Sequence, residues 1–145
     1  MPTTALIQHP IYAEHDTGPG HPETPLRYKA VMEALRGAEE FWCSLKVITP
    51  DAASKGSIQA VHPARHFKEV ENEFSDGLTA LDADTTISMR SFDAALYAAG
   101  GAIAAVDAVM QGEADNAFVA VRPPGHHATA ERAMGFCLFN NIAVA

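Results

Sequence analysis

Two adjacent histidines, His126 and His127, stand in the run Arg122-Pro123-Pro124-Gly125-His126-His127-Ala128. An imidazole titrates near neutrality, so a fixed pair within hydrogen-bond reach of a reacting proton suits acid-base catalysis. The prolines and glycine restrict the backbone just ahead of the pair, which holds its rings in a defined place. Neighbouring side chains diverge on a helix or strand, and structural zinc sites use wider spacings such as H-x-x-x-H. Acid-base work therefore suits the pair better than joint metal ligation. An isolated His-His dipeptide usually caps a loop or binds stray metal, so its context has to decide its use. His62 and His66 have the spacing of a helical metal pair, but Pro63 puts the first ahead of the helix, and a metal role is set aside. Cys137 shows no activating neighbours and reads as a packed small side chain. Taken singly, Phe136 would be core, Arg27 solvated, and Asp82 and Asp84 turn residues or caps.

The element that presents the histidines is the apolar run Ala117 to Val121, which predicts a central strand buried on both faces and ended by the prolines. A ligand of an α/β sheet usually sits just past such a strand end. Thr4 to Gln8 predicts another strand, followed by a loop rich in His, Gly and Pro up to Glu23. Thr24 with Pro25 predicts the start of a helix that Gly37 ends. Leu45 to Ile48 predicts a strand, Asp51 the cap of a helical segment to about Val61, and Pro63 a helix to about Phe74. A turn at Ser75-Asp76-Gly77 and irregular chain to Ser88 follow. The strongest helix signal runs from a Ser91 cap to Gly112, with Leu96, Ala99, Ile103, Val106 and Met110 on one stripe. Met134 to Ala145 predicts a last helix. Helices alternating with short strands give an α/β class with a largely parallel sheet.

The chain has 145 residues and is 48% hydrophobic, ample for one core. Its net charge of -8, with ten Lys and Arg, speaks against a broad electrostatic grip on nucleic acid or on an anionic membrane. The two cysteines, Cys43 and Cys137, are far apart and predict no disulfide framework. With no signal-peptide pattern at the N-terminus and no membrane span expected, a cytoplasmic protein with reduced thiols is the expectation.

Arg122 to Ala128, a short polar loop, and then Met134 to Asn141 (M-G-F-C-L-F-N-N) resemble the signature of the histone deacetylase superfamily. The likeness is nearer to its class II and bacterial members, which include acetoin-utilisation and acetylpolyamine amidohydrolase relatives. His21 to Arg27 (H-P-E-T-P-L-R), Val61-His62, Leu81 to Thr85 (L-D-A-D-T) and the Ser91 to Gly101 helix follow the family's order, so the resemblance covers nearly the whole chain. It implies an arginase/deacetylase-like fold, a mostly parallel sheet with helices on both faces. Residues 1–145 would be the N-terminal portion of one catalytic domain and the sheet incomplete in this chain. By the same resemblance His127 is the general base and acid, acting on a zinc-bound water, and His126 its partner. Gly135 and Phe136 would wall an acyl-lysine channel, the Gly135 carbonyl accepting the substrate amide N–H. Asp82, with Asp84 close by, would be a rim carboxylate that holds substrate backbone, and Arg27 a buried cation near the pocket's foot. Thr24 and Gly56 depart from the family's usual residues.

The resemblance further implies a Zn2+ cofactor whose aspartate and histidine ligands lie outside these residues. A truncated or cropped deacetylase is expected, inactive as an isolated segment. Its substrate would be an acetylated small molecule or an acetyl-lysine peptide. The alternative is a naturally short, non-catalytic relative acting as a binding or interaction module. An arginase-type hydrolase would share the architecture but show different metal motifs.

Overall fold

A computed structural model describes residues 2–72 and 79–145. Strand β1 (Thr4–Ile7) lies at the centre of a three-stranded parallel sheet, between β2 (Leu45–Ile48) and β5 (Asn116–Val119). Thr4 pairs with Leu45 on one side and with Asn116 on the other. Parallel strands need long crossovers, and here the intervening segments supply helices to both faces. Alternation along β1 divides its side chains. Ala5 and Ile7 pack with Ala105, Ala108 and Ala114 on one face, and Leu6 packs with Tyr12, Tyr28 and Met32 on the other. Helix α1 (Pro25–Gly37) covers the Leu6 face, and Thr24 caps it by accepting the Leu26 N–H. The expected α/β class, with helices on both sides of a parallel sheet, is what the chain forms.

Helix α5 (Ser91–Met110) buries a row of alanines against the sheet. Small side chains there admit close neighbours: the Ala53 N–H donates to the Leu96 carbonyl at 2.9 Å. A Cβ on Gly100 would stand 1.9 Å from the Asp51 carbonyl oxygen. A second cluster joins α5 through Ala95 and Ala99 to Ile58 of α3 (Lys55–Gln59), Phe67 and Val70 of α4 (Ala64–Asn72), and Leu138 and Phe139. That cluster supports the segment that carries the candidate site.

Several expected boundaries are corrected. β5 ends at Val119, not Val121, and among the described residues it is an edge strand with Phe118 51% exposed. Val31 on one side of it and Val106, Val109 and Met110 on the other are also exposed. The residue that caps α3 is Ser54, not Asp51. Ser91 begins α5 but does not cap it, because its Oγ is used by the Ser88 N–H and by His15. Residues expected to be irregular form an antiparallel hairpin, β3 (Thr79–Asp82) with β4 (Thr85–Ile87). Of the last expected helix only α6 (Asn141–Val144) exists, since Met134 to Cys137 closes a tight turn instead. Helix α2 (Glu39–Ser44) and a 3-10 turn at Pro10–Ala13 had no clear periodic signal. Phe74 and the turn at Ser75-Asp76-Gly77 lie outside the described residues.

Candidate active site

After β5 the chain passes through Arg122 and a cis peptide to Pro123, then carries His126 and His127 out to solvent. Their ring centroids are 4.3 Å apart with planes inclined at 48°. The rings make no hydrogen bond to another described residue, so the backbone must hold them. The loop is pinned on its far side: Asn141 donates from Nδ2 to the Pro123 carbonyl, Asn140 from Nδ2 to the Ala128 carbonyl, and the His127 N–H to the Cys137 thiol. Gly125 has no room for a side chain, because a Cβ there would lie 2.5 Å from the Asn141 nitrogen.

Beside His127 lies a second turn. Met134 and Cys137 exchange both backbone hydrogen bonds, at 3.1 and 3.0 Å, around Gly135 at φ 57° and Phe136 at φ 70°. Positive φ at both central residues is the mark of a type I′ turn, which suits glycine but strains an aromatic residue. The Phe136 N–H donates to Thr85 Oγ1 at 3.1 Å, and its ring meets the edge of His21 at a centroid distance of 5.0 Å. His21 is itself oriented. Its Nδ1 accepts the Glu23 N–H, which leaves Nε2 to donate to the Asp84 carbonyl at 3.0 Å. The Cys137 thiol points at the Gly135 carbonyl, and burial raises its pKa, so it is a poor nucleophile.

Beneath the loop is a buried polar group. Arg122 donates from Nε and Nη2 to the two carboxylate oxygens of Glu23 at 2.6 and 2.7 Å, from Nη2 to the Glu23 carbonyl, and from Nη1 to the Tyr12 carbonyl. His15 Nε2 stands 3.7 Å from Glu23, and its Nδ1 is 2.7 Å from Ser91 Oγ. Burial, with the Arg122 charge next in size, pushes the His15 pKa down to about 4 against the pull of Glu23. On the other side, His62 accepts the Asn140 N–H at Nε2 and so donates from Nδ1 to the Ala130 carbonyl. Its pKa is lowered, chiefly by burial. His66 reaches the Leu138 carbonyl from Nε2, while its buried Nδ1 has no partner among the described residues. These two histidines brace the loop and do not form a metal pair.

The structure thus brings His127 and Gly135 into contact and sets Phe136 beside Gly135, only half-buried. Asp82 ends β3 with its carboxylate on the Ala83 N–H, and Asp84, exposed, is tied through its carbonyl to His21. Arg27 is corrected: its side chain is 65% exposed and 3.7 Å from Glu23. The buried arginine is Arg122, which the glutamate holds because its own carboxylate is buried. Glu23, Arg122, His15 and His21 were missed as a group because 99 residues separate Glu23 from Arg122. Among the described residues no three His, Cys, Asp or Glu side chains converge to hold a metal, so this chain's described side chains do not fit a zinc site.

The model of the histone deacetylase domain matches residues 21–145. A probable deacetylase of Archaeoglobus fulgidus is 39% identical over 142 residues, which cover 97% of this chain and 39% of the relative. A histone deacetylase-like amidohydrolase of Pseudomonas aeruginosa is 38% identical over 145 residues, 100% of this chain and 36% of the relative. The crystal structure of the HDA15 HD domain superposes with a TM-score of 0.90 at 33% identity, over 98% of this chain and 41% of that one. The chain thus spans about two fifths of the length of these relatives. With the domain matched from His21 to Ala145 and the sheet and histidine loop arranged as described, the chain belongs to the histone deacetylase family.

Proposed function

We propose that this chain supplies the proton-transfer and channel-wall part of a hydrolase that removes an acetyl group from an amine. The observation that carries the reading is the exposed His126–His127 pair with His127 set against Gly135. His127 takes a proton from the attacking water and returns one to the leaving amine, and His126, its ring 4.3 Å away, adjusts the charge of the transition state. Gly135 keeps one carbonyl lone pair for a substrate amide N–H while the other receives the Cys137 thiol. The Phe136 ring flanks an alkyl stem such as that of acetyl-lysine or an acetylpolyamine, and Asp82 or Asp84 at the rim holds the substrate's backbone. Zinc, which the family resemblance implies, would supply a polarised water. Its ligands are not among the described residues of this chain, so the steps assigned here concern proton transfer and substrate positioning. On this reading the 145-residue segment by itself does not turn over.

A second reading has one observation in its favour: without a convergent ligand set, the segment could serve as a module that binds acyl chains without cleaving them. Hydrolysis of an acetyl-lysine peptide and of an acetylated polyamine by the intact protein separates the two. In the intact protein His127→Ala is expected to lower kcat by about 100-fold or more while the peptide still binds. Equal rates for parent and variant would remove His127 from the chemistry. Tight one-to-one zinc with turnover by residues 1–145 alone would overturn the segment's inactivity.

A further inference from the structure

We propose that Glu23 and Arg122 are positioning residues for the histidine loop, a role that rests on the proton-transfer reading of His127. The loop has two ends. Its far end is held by Asn140 and Cys137, through the Ala128 carbonyl and the His127 N–H, and Asn141 reaches the Pro123 carbonyl nearer its start. Its near end leaves β5 at Val119, and among the described residues the last backbone hydrogen bond to the sheet runs from the Ala120 N–H to the Ile7 carbonyl. Arg122 takes over there. Its guanidinium, 3% exposed as a residue, makes a two-pronged contact with Glu23 and reaches the Glu23 and Tyr12 carbonyls as well. A planar fork engaged at this many points fixes both the position and the rotation of the residue that bears it. Pro123 and Pro124 then pass that orientation along a stiff backbone to His126.

Glu23 serves the substrate side through the same residue. Its backbone N–H donates to His21 Nδ1, and the His21 ring contacts Phe136. One carboxylate-bearing residue thus joins the wall of the channel to the root of the histidine loop. The two motifs H-P-E and R-P-P-G-H-H form a single mechanical unit. His15 Nε2 and Arg27 Nη1 each approach Glu23 at 3.7 Å, and neither replaces the Arg122 fork.

Arg122→Lys in the intact protein tests this, because lysine keeps the charge and loses the fork. With an acetylated amine as substrate, kcat is expected to fall on the order of 100-fold with KM within about twofold, as for a misplaced catalytic group. The limbs of the pH profile of kcat are expected to move. With histidine-selective 15N labelling, the imidazole signals of His126 and His127 are expected to shift while those of His62 and His66 stay. Unchanged His126 and His127 signals and an unchanged kcat per folded molecule, with only a lower thermal midpoint, would overturn the proposal. If Arg122→Lys does not fold, Glu23→Asp, which keeps the carboxylate and shortens its reach, goes through the same measurements with the same two outcomes. A parent that hydrolyses no acetylated amine removes the hydrolase reading alone, since the imidazole signals still decide whether the pair positions the rings.

Discussion

Gly135 has no space for a side chain on the side facing His127: a Cβ there would lie 2.8 Å from His127 Cβ and 2.9 Å from its Cγ. Its φ of 57° adds backbone strain for any larger residue. Gly135→Ala is therefore expected to cost about 2 kcal/mol of stability and to push the His127 ring away from the turn. Urea unfolding checks the first effect, and kcat of the intact protein at saturating substrate checks the second. A variant with normal stability and rate would show that the turn and the histidine move independently.

The buried His15 should make the fold sensitive to mild acid. In the unfolded chain it binds a proton near pH 6.5, and in the folded chain not until about 4. Stability is therefore fully present above pH 6.5 and is lost as the pH falls from 6.5 to 4, by about 3 kcal/mol for this group. His62, whose pKa is also lowered, acts in the same direction. His15→Asn, which does not titrate and is able to keep a contact with Ser91, should lose less stability between pH 7 and pH 4 than the parent. Chemical unfolding at the two pH values measures the difference. Equal losses would move the acid sensitivity to another group.

Two glycines give opposite expectations. Gly100→Ala would drive a methyl group to 1.9 Å from the Asp51 carbonyl and 2.9 Å from the Ala53 nitrogen, both backbone atoms that cannot swing away. A loss of about 3 kcal/mol follows. Gly56→Ala meets only Ser54 Oγ, at 3.6 Å, and should gain about 0.5–1 kcal/mol by stiffening α3. Thermal unfolding of the pair decides whether the loop at Asp51 lies on α5 as closely as described.

The parts of the fold and site that were legible in the sequence are those written in neighbouring residues. Thr24-Pro25 announces α1 because a cap and a fixed φ act locally. Apolar residues at steps of three and four from Leu96 to Met110 announce α5, although Val106 and Met110 of that stripe are exposed and a row of alanines is what the helix buries. The histidine pair is a short motif for the same reason, whereas the Gly135-Phe136 turn lies in a stretch, Met134 to Ala145, that reads as helix. What stayed hidden depends on partners far along the chain. Ser91 looks like a cap, yet His15 and Ser88 claim its hydroxyl. Arg27 and Arg122 are chemically alike, and only the placement of Glu23 decides which is buried. Continuous apolar character in Ala117 to Val121 signals burial, but it does not reveal how much of each face the described residues cover. Pairing of β3 with β4 was hidden by the Leu81 to Thr85 stretch, which reads as loop because Asp82 and Asp84 favour turns.

The bond between Arg122 and Glu23 also bears on the order in which the molecule folds. Joining two points 99 residues apart carries a loop-closure cost of about 4 kcal/mol, so the contact cannot form by local search. Helices such as α1 and α5 are built from near neighbours and can form early. The imidazole pair acquires its final geometry only when the first and last thirds of the chain have met, which makes its exposure to labelling reagents during refolding a late clock for the whole process.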